Sequence, residues 1–144
     1  MAPEDENILA QLRSSNDDPN KTVPAAWSYL AKNQFSTTIK HTEAIVEAVK
    51  YLCKHERRLQ IKKFDLDKLI INVAHKLPIQ EASCLIEVLK PRSKRYADAA
   101  LQANHELLKF RSGGELDPIK FFRAISQLDN DKALAFLSRL KIDD

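Results

Sequence analysis

Nine basic side chains fall in two short stretches of this chain: Lys54, Arg57, Arg58, Lys62 and Lys63 in the first, Lys90, Arg92, Lys94 and Arg95 in the second. Across residues 50–63 the bases, Lys50 included, face a single acid, Glu56, and residues 90–95 contain no acid. Such stretches attract phosphates or acidic protein segments, and arginine adds a planar fork that holds either group through two parallel N–H bonds. A local explanation competes: lysine and arginine at a helix C-terminus complement its free carbonyls and otherwise stay solvated. A net charge of +3 does not by itself imply nucleic acid. The distribution is more informative, because residues 1–20 carry five acids against Arg13.

Other chemistry is hard to find. The chain has no Cys-x-x-Cys, no His-Glu-x-x-His, no phosphate-binding glycine loop and no nucleophile elbow. Its glycines are two, Gly113 and Gly114, and they are adjacent, whereas backbone cradles and tight hairpins need glycine at several points. His41, His55, His75 and His105 fall on different expected helices or at their ends, without the local spacing of a zinc site. Asp65 with Asp67, and Asp129 with Asp131, stand where helices are expected to begin, so capping and the helix dipole explain them before general acid–base work does. Trp27, Tyr29 and Phe35 would suit a stacking or peptide-binding surface, but aromatics at helical spacing are more often core, and core packing is favoured, with Trp27 fastening the second helix to the third. The expectation is therefore a protein that is not an enzyme, with no catalytic residue, no metal and no cofactor.

Composition bounds the rest. A chain of 144 residues, 44% hydrophobic and 30% charged, is expected to fold as an ordinary globular domain without a disulfide or metal staple. Cys53 and Cys84 sit in apolar helical patterns and read as buried, reduced thiols, with a disulfide between them disfavoured. The acidic start, lacking any apolar stretch of signal-peptide length, points to a cytoplasmic or nuclear location, and no run is long and apolar enough to span a membrane.

The elements that would position these residues are all helical. Residues 1–21 read as an acidic, loosely ordered N-terminal arm, and 22–144 as one α-helical domain. The first helix of that domain is expected near Pro24 with Thr22 as its cap. The next runs from after Ser36 to about His55, on a stripe of Ile39, Ile45, Val46, Val49, Leu52 and Cys53. Asp65 is expected to cap a helix over 66–77, with Phe64 packed on Leu69. Pro78 and Pro91 bracket a helix burying Ile79, Ala82, Leu85, Ile86 and Leu89. Ser93 then caps an alanine-rich helix ending before Gly113, whose Ala97, Ala99, Ala100 and Ala103 suit a central position. Asp117-Pro118 opens the last pair, at about 118–128 and 131–141.

An echo at an offset of 51 residues relates Ile70, Val73, Leu77, Leu85 and Leu89 to Phe121, Ala124, Leu128, Phe136 and Leu140, with Lys90 matched to Lys141. A helical-hairpin repeat of the HEAT or armadillo kind would give such an echo, and chance similarity of two amphipathic hairpins accounts for it equally well. The fold expected is all-α, a compact bundle or short HEAT/armadillo-like stack of seven to eight antiparallel helices. If helices alternate up and down, the turns at 55–64 and 90–94 share one end, and the nine bases form one basic edge. An N-terminal arm folded back would screen it. Reading 66–90 as a DNA-binding helix–turn–helix fails, because Glu81 and Glu87 would face phosphate and no arginine lies on that face. The functional expectation is an interaction module, first as a protein–protein adaptor whose groove or apolar face receives a helix or acidic segment of another protein. The alternative is an RNA- or ribonucleoprotein-binding domain using the basic edge.

Overall fold

Apolar residues at three-and-four spacing need a partner surface, and the structure supplies it with helices alone. The computed structural model describes residues 3–36, 39, 41–57 and 60–140, with Phe64 by its backbone only. Among them are eight helices and no strand: α1 (Pro3–Leu12), α2 (Pro19–Asn33), α3 (Thr42–His55), α4 (Lys63–Ala74), α5 (Ile79–Leu89), α6 (Lys94–Arg111), α7 (Pro118–Ile125) and α8 (Asn130–Ser138). The all-helical expectation is borne out. The contacts divide the chain into two compact units, Met1–Pro78 and Ile79–Asp144, where residues 22–144 had been read as one domain.

In the first unit α1 packs on α2 and α3, and α2 packs on α3 and α4. Residues 3–12 are thus no loose arm. Glu4, Asp5 and Glu6 occupy the first turn of α1, where carboxylates complement the dipole, and Ile8 and Leu9 are buried. Glu4 and Asp5 are engaged locally, whereas Asp17, later in the same arm, lies near Lys54 of the first basic stretch. Tyr29 donates to the buried Asp5, Lys32 pairs with Glu4 at 2.9 Å, and Arg13 pairs with Glu43. The helix expected at Pro24 begins at Pro19, with Asp18 as a cap accepting the Asn20 N–H at 3.1 Å. Thr22 is buried instead of capping, and donates to Asp17. Leu30, Ile45, Leu52, Leu66 and Ile70 are fully buried, each contributing roughly 1.5–3 kcal/mol of transfer free energy. Ile39, ahead of α3, is buried and donates its N–H to the Lys76 carbonyl at 2.9 Å. α3 itself starts at Thr42, later than expected, and residues 37, 38 and 40 lie outside the described set.

α4 starts at Lys63 with Lys62 in the cap position, so Asp65 lies inside its first turn rather than capping it. The expected staple from Phe64 falls on a side chain outside the described set.

In the second unit α6 packs against both α5 and α7, the central place its alanines suggest: Ala97, Ala99, Ala100 and Ala103 are all buried. Asp117 caps α7 as expected, accepting from Ile119 N–H at 3.0 Å and Lys120 N–H at 3.2 Å. Asp129 occupies the cap position of α8 without a side-chain bond. The boundary at Pro78 falls inside the first member of the 51-residue echo, so its two members are not matching hairpins of one unit.

Candidate functional site

Each basic stretch surrounds one interhelical turn, and the two belong to different units, so each stands by itself. Lys54 lies in the last turn of α3, Arg57 just beyond it, and Lys62 and Lys63 at the start of α4. All four are exposed and make no ion pair among the described residues. Arg58 lies outside the described set. Lys54 has an acidic neighbour, since it and His55 help to hold Asp17 below the usual carboxylate range after the hydrogen bonds from Thr22 and Tyr51. In the second unit Lys90 follows α5 and reaches Glu87 at 3.9 Å, Arg92 is half-buried, and Lys94 and Arg95 open α6 exposed.

These positions weigh on the local explanation. Lys54, Arg57 and Lys90 sit at helix C-termini, where the dipole accounts for a cation. Lys62, Lys63, Lys94 and Arg95 sit at helix N-termini, where the same dipole opposes one. α6 has no acid in its first turn. Lys94 and Arg95 are therefore placed against local electrostatics, while Asp65 in the first turn of α4 offsets Lys62 and Lys63.

A second feature involves Trp27 and Phe35, which the sequence offers as a stacking or peptide-binding surface but favours as core. A groove of about 490 Å³ runs between α2 and α4 in the first unit. Trp27, Ala31, Phe35 and Leu69 supply apolar lining, and Gln34, Asp65, Lys68 and Asn72 supply polar lining. Asn72 donates to Gln34 at 2.9 Å, so two of the polar groups are fixed across the groove. Phe35 is 82% exposed, an unusual state for a phenylalanine beside a helix end. The aromatic trio read as core is thereby split. Tyr29 is buried against Asp5, Trp27 is half-buried and lines the groove with α4 residues, and Phe35 stands open. Helical spacing alone could not say which neighbour covers each of the three.

The remaining candidates separate. Tyr51 donates to Asp17 and its ring lies 4.4 Å from that of His55, a packed cluster tying the loop before α2 to α3. His75 caps the end of α4 through its backbone, and His105 is exposed on α6. No group of three or more histidine, cysteine, aspartate or glutamate residues among those described could hold a metal ion. Cys53 is half-buried and Cys84 exposed, and neither is part of a disulfide. The expectation of two buried thiols fails at Cys84, which stands off the buried stripe of Ile79, Ala82, Leu85, Ile86 and Leu89. Among the described residues no helix is long and apolar enough to cross a membrane. Comparison with known proteins finds no matching family model, curated protein or solved structure.

Proposed function

We propose that this chain is a non-catalytic interaction module, acting as a protein–protein adaptor within a larger cytoplasmic or nuclear assembly. The observation that carries the proposal is Phe35, 82% exposed beside an aromatic-walled groove. Exposed aromatics next to an apolar trough, rimmed by fixed polar groups, are the usual anchors of a partner helix. Two cysteines outside any disulfide, one of them exposed, suit a reducing compartment.

The test is affinity capture from cell extract with wild-type protein and Phe35→Asp, each with and without nuclease, after circular dichroism shows both variants equally helical. A discrete protein retained by the wild type after nuclease, and lost with Phe35→Asp, supports the groove. Equal capture by both proteins overturns it.

A second reading rests on the cations at helix N-termini: the module binds RNA through backbone phosphates, with little sequence preference. It predicts that single-stranded RNA binding weakens steeply with salt, and that Arg57→Glu with Lys62→Glu and Lys63→Glu abolishes it. RNA binding indifferent to those changes rules this reading out.

A further inference from the structure

α1 is ordered less by its own sequence than by what it lies on. Its 10 residues fall short of the roughly 12–15 that an isolated helix needs in water, so it is helical only while docked on α2 and α3. The large apolar side chains it buries are Ile8 and Leu9. Its other ties are polar. Asp5 accepts from Tyr29 and lies 3.8 Å from His41, Glu4 pairs with Lys32, and Arg13 pairs with Glu43 and reaches Glu47 at 3.8 Å. The Glu4 and Arg13 pairs stand in solvent, where such pairs contribute little and salt screens them. Along α2 the fit is incomplete: an open groove of about 480 Å³ is lined by Asn7 and Gln11 of α1 and by Ser28 of α2.

Release of α1 need not disturb α2. The connecting residues 13–16 are polar and exposed, and the chain is then pinned: Asp17 accepts from Thr22 of α2 and Tyr51 of α3, and Asp18 caps α2. The pin lies beyond the hinge. α2 and α3 also pack on each other, and α2 packs on α4, so these helices keep partners of their own without α1. On α3, Ala44 and Ala48 follow Glu43 and Glu47 and are fully buried, and side chains this small let a neighbouring helix lie close.

We propose that α1 is a strap over a docking slot on α2 and α3, and that a helix of a partner protein displaces it. α1 itself shows the chemistry the slot accepts. Asp5, Ile8, Leu9 and Arg13 follow one another at three-and-four spacing and share one helix face. The acid meets Tyr29 and His41, the two aliphatics are buried, and the base meets Glu43 and Glu47. The partner is therefore an amphipathic helix with an acid in its first turn, two adjacent aliphatics one turn on, and a base one turn beyond those. Opposite charges at its two ends fix its direction in the slot. α2 meets α1 through Ser28, Tyr29 and Lys32, and lines the groove beside Phe35 with Trp27, Ala31 and Gln34, so the slot does not rest on that groove.

Two measurements on the full chain test this. In amide hydrogen exchange of the wild type, the N–H groups of residues 8–12 are expected to exchange at least ~10-fold faster than those of Leu30 and Val49, because α1 opens while the rest stays folded. Exchange of α1 at the rate of those core amides overturns the proposal. In the second, a fluorescent peptide with the sequence of residues 3–16 is titrated onto the wild type and onto a chain carrying Ile8→Ser with Leu9→Ser, which weakens the strap and leaves the slot intact. The tethered α1 competes at an effective concentration in the millimolar range, so the variant is expected to bind the peptide at least ~10-fold more tightly than the wild type. A peptide carrying Arg13→Glu is expected to bind the variant about 3-fold more weakly, and to recover when the chain also carries Glu43→Lys. Equal binding to wild type and variant overturns the proposal, as does no binding to a variant that keeps the remaining helix by circular dichroism. Indifference to Arg13→Glu overturns the partner's charge pattern. If the variant loses more helix than α1, the exchange rates decide.

Discussion

Glu106, buried on α6, accepts the backbone N–H of Asp117 at 2.8 Å, while the Asp117 side chain accepts the first free N–H groups of α7. One carboxylate therefore anchors the residue that caps the next helix. Lys109 Nζ, at 2.8 Å, balances the buried charge from one turn further along α6. The chain between α6 and α7 is held from within by these two bonds, and α7 is aimed at the α6 surface before its apolar face contributes.

Replacing Glu106 with alanine should cost about 2–3 kcal/mol, since a charged acceptor is lost and the Asp117 N–H is stranded. Urea unfolding followed by circular dichroism measures it. The Glu106 carboxyl is held below its ordinary range, chiefly by the hydrogen bond from Lys109, with Asp117 N–H adding and burial opposing. A depressed folded pKa means stability present above the unfolded value of about 4.3 and lost as pH falls through the folded one. The gap between wild type and Glu106→Gln should therefore narrow as pH falls below about 4.3. A gap that holds constant over that range refutes the charge pairing.

Tyr29→Phe should loosen α1. The phenol is the hydrogen-bond donor to Asp5, whose other close partner is His41 at 3.8 Å. Without that donor a nearly buried carboxylate is left short of a partner, at a cost of about 1–3 kcal/mol. Limited proteolysis should then cut within residues 13–18 faster than in the wild type. Unchanged cleavage would show that Ile8 and Leu9 hold α1 alone.

Much of this could be read from spacing and much could not. α3 and α5 were legible because their stripes are long and apolar, and the Asp117-Pro118 start was legible because a cap and a first-turn proline are adjacent in sequence. Asp18-Pro19 has the same pattern, yet Thr22 and Pro24 also satisfy it. The choice is made by the bonds from Thr22 and Tyr51 to Asp17, one of them from another helix. α1 has few apolar residues, so its order comes from Tyr29, Lys32 and Glu43, which no local pattern reveals. The single basic edge assumed simple alternation of helices along one stack, whereas the chain forms two units divided at Pro78. The groove beside Phe35 joins residues more than thirty positions apart, beyond the reach of any helical period.

Tyr51 offers an alkaline counterpart to Glu106. Its phenol is pushed up to about 12, first by burial and then by its hydrogen bond to Asp17. A raised folded pKa means that the contribution is complete below the unfolded value of about 10 and disappears as pH rises through the folded one. Between those values the wild type should lose stability faster than Tyr51→Phe. In Asp17→Asn one phenol should ionise earlier in an ultraviolet titration, since the acceptor is no longer charged. A titration identical to wild type would mean that burial alone sets the shift.

The two glycines make separable demands at the end of α6. Gly113 has φ +87°, and its N–H donates to the Phe110 carbonyl at 3.2 Å, while the Gly114 N–H reaches the Lys109 carbonyl at 2.9 Å. This pair of bonds closes a helix through a left-handed residue, a conformation in which a Cβ costs about 1–2 kcal/mol. A Cβ on Gly113 meets nothing within 4 Å, so Gly113→Ala should destabilise through backbone conformation alone. Gly113→Asn should cost clearly less, because asparagine tolerates that region. At Gly114 the obstacle is steric: a Cβ would lie 3.0 Å from the Lys109 carbonyl oxygen, a backbone atom already committed to the closing bond. Asparagine brings the same Cβ, so Gly114→Asn should be no better tolerated than Gly114→Ala. Thermal unfolding of the four variants separates the causes, and relief by asparagine at both positions would refute the assignment.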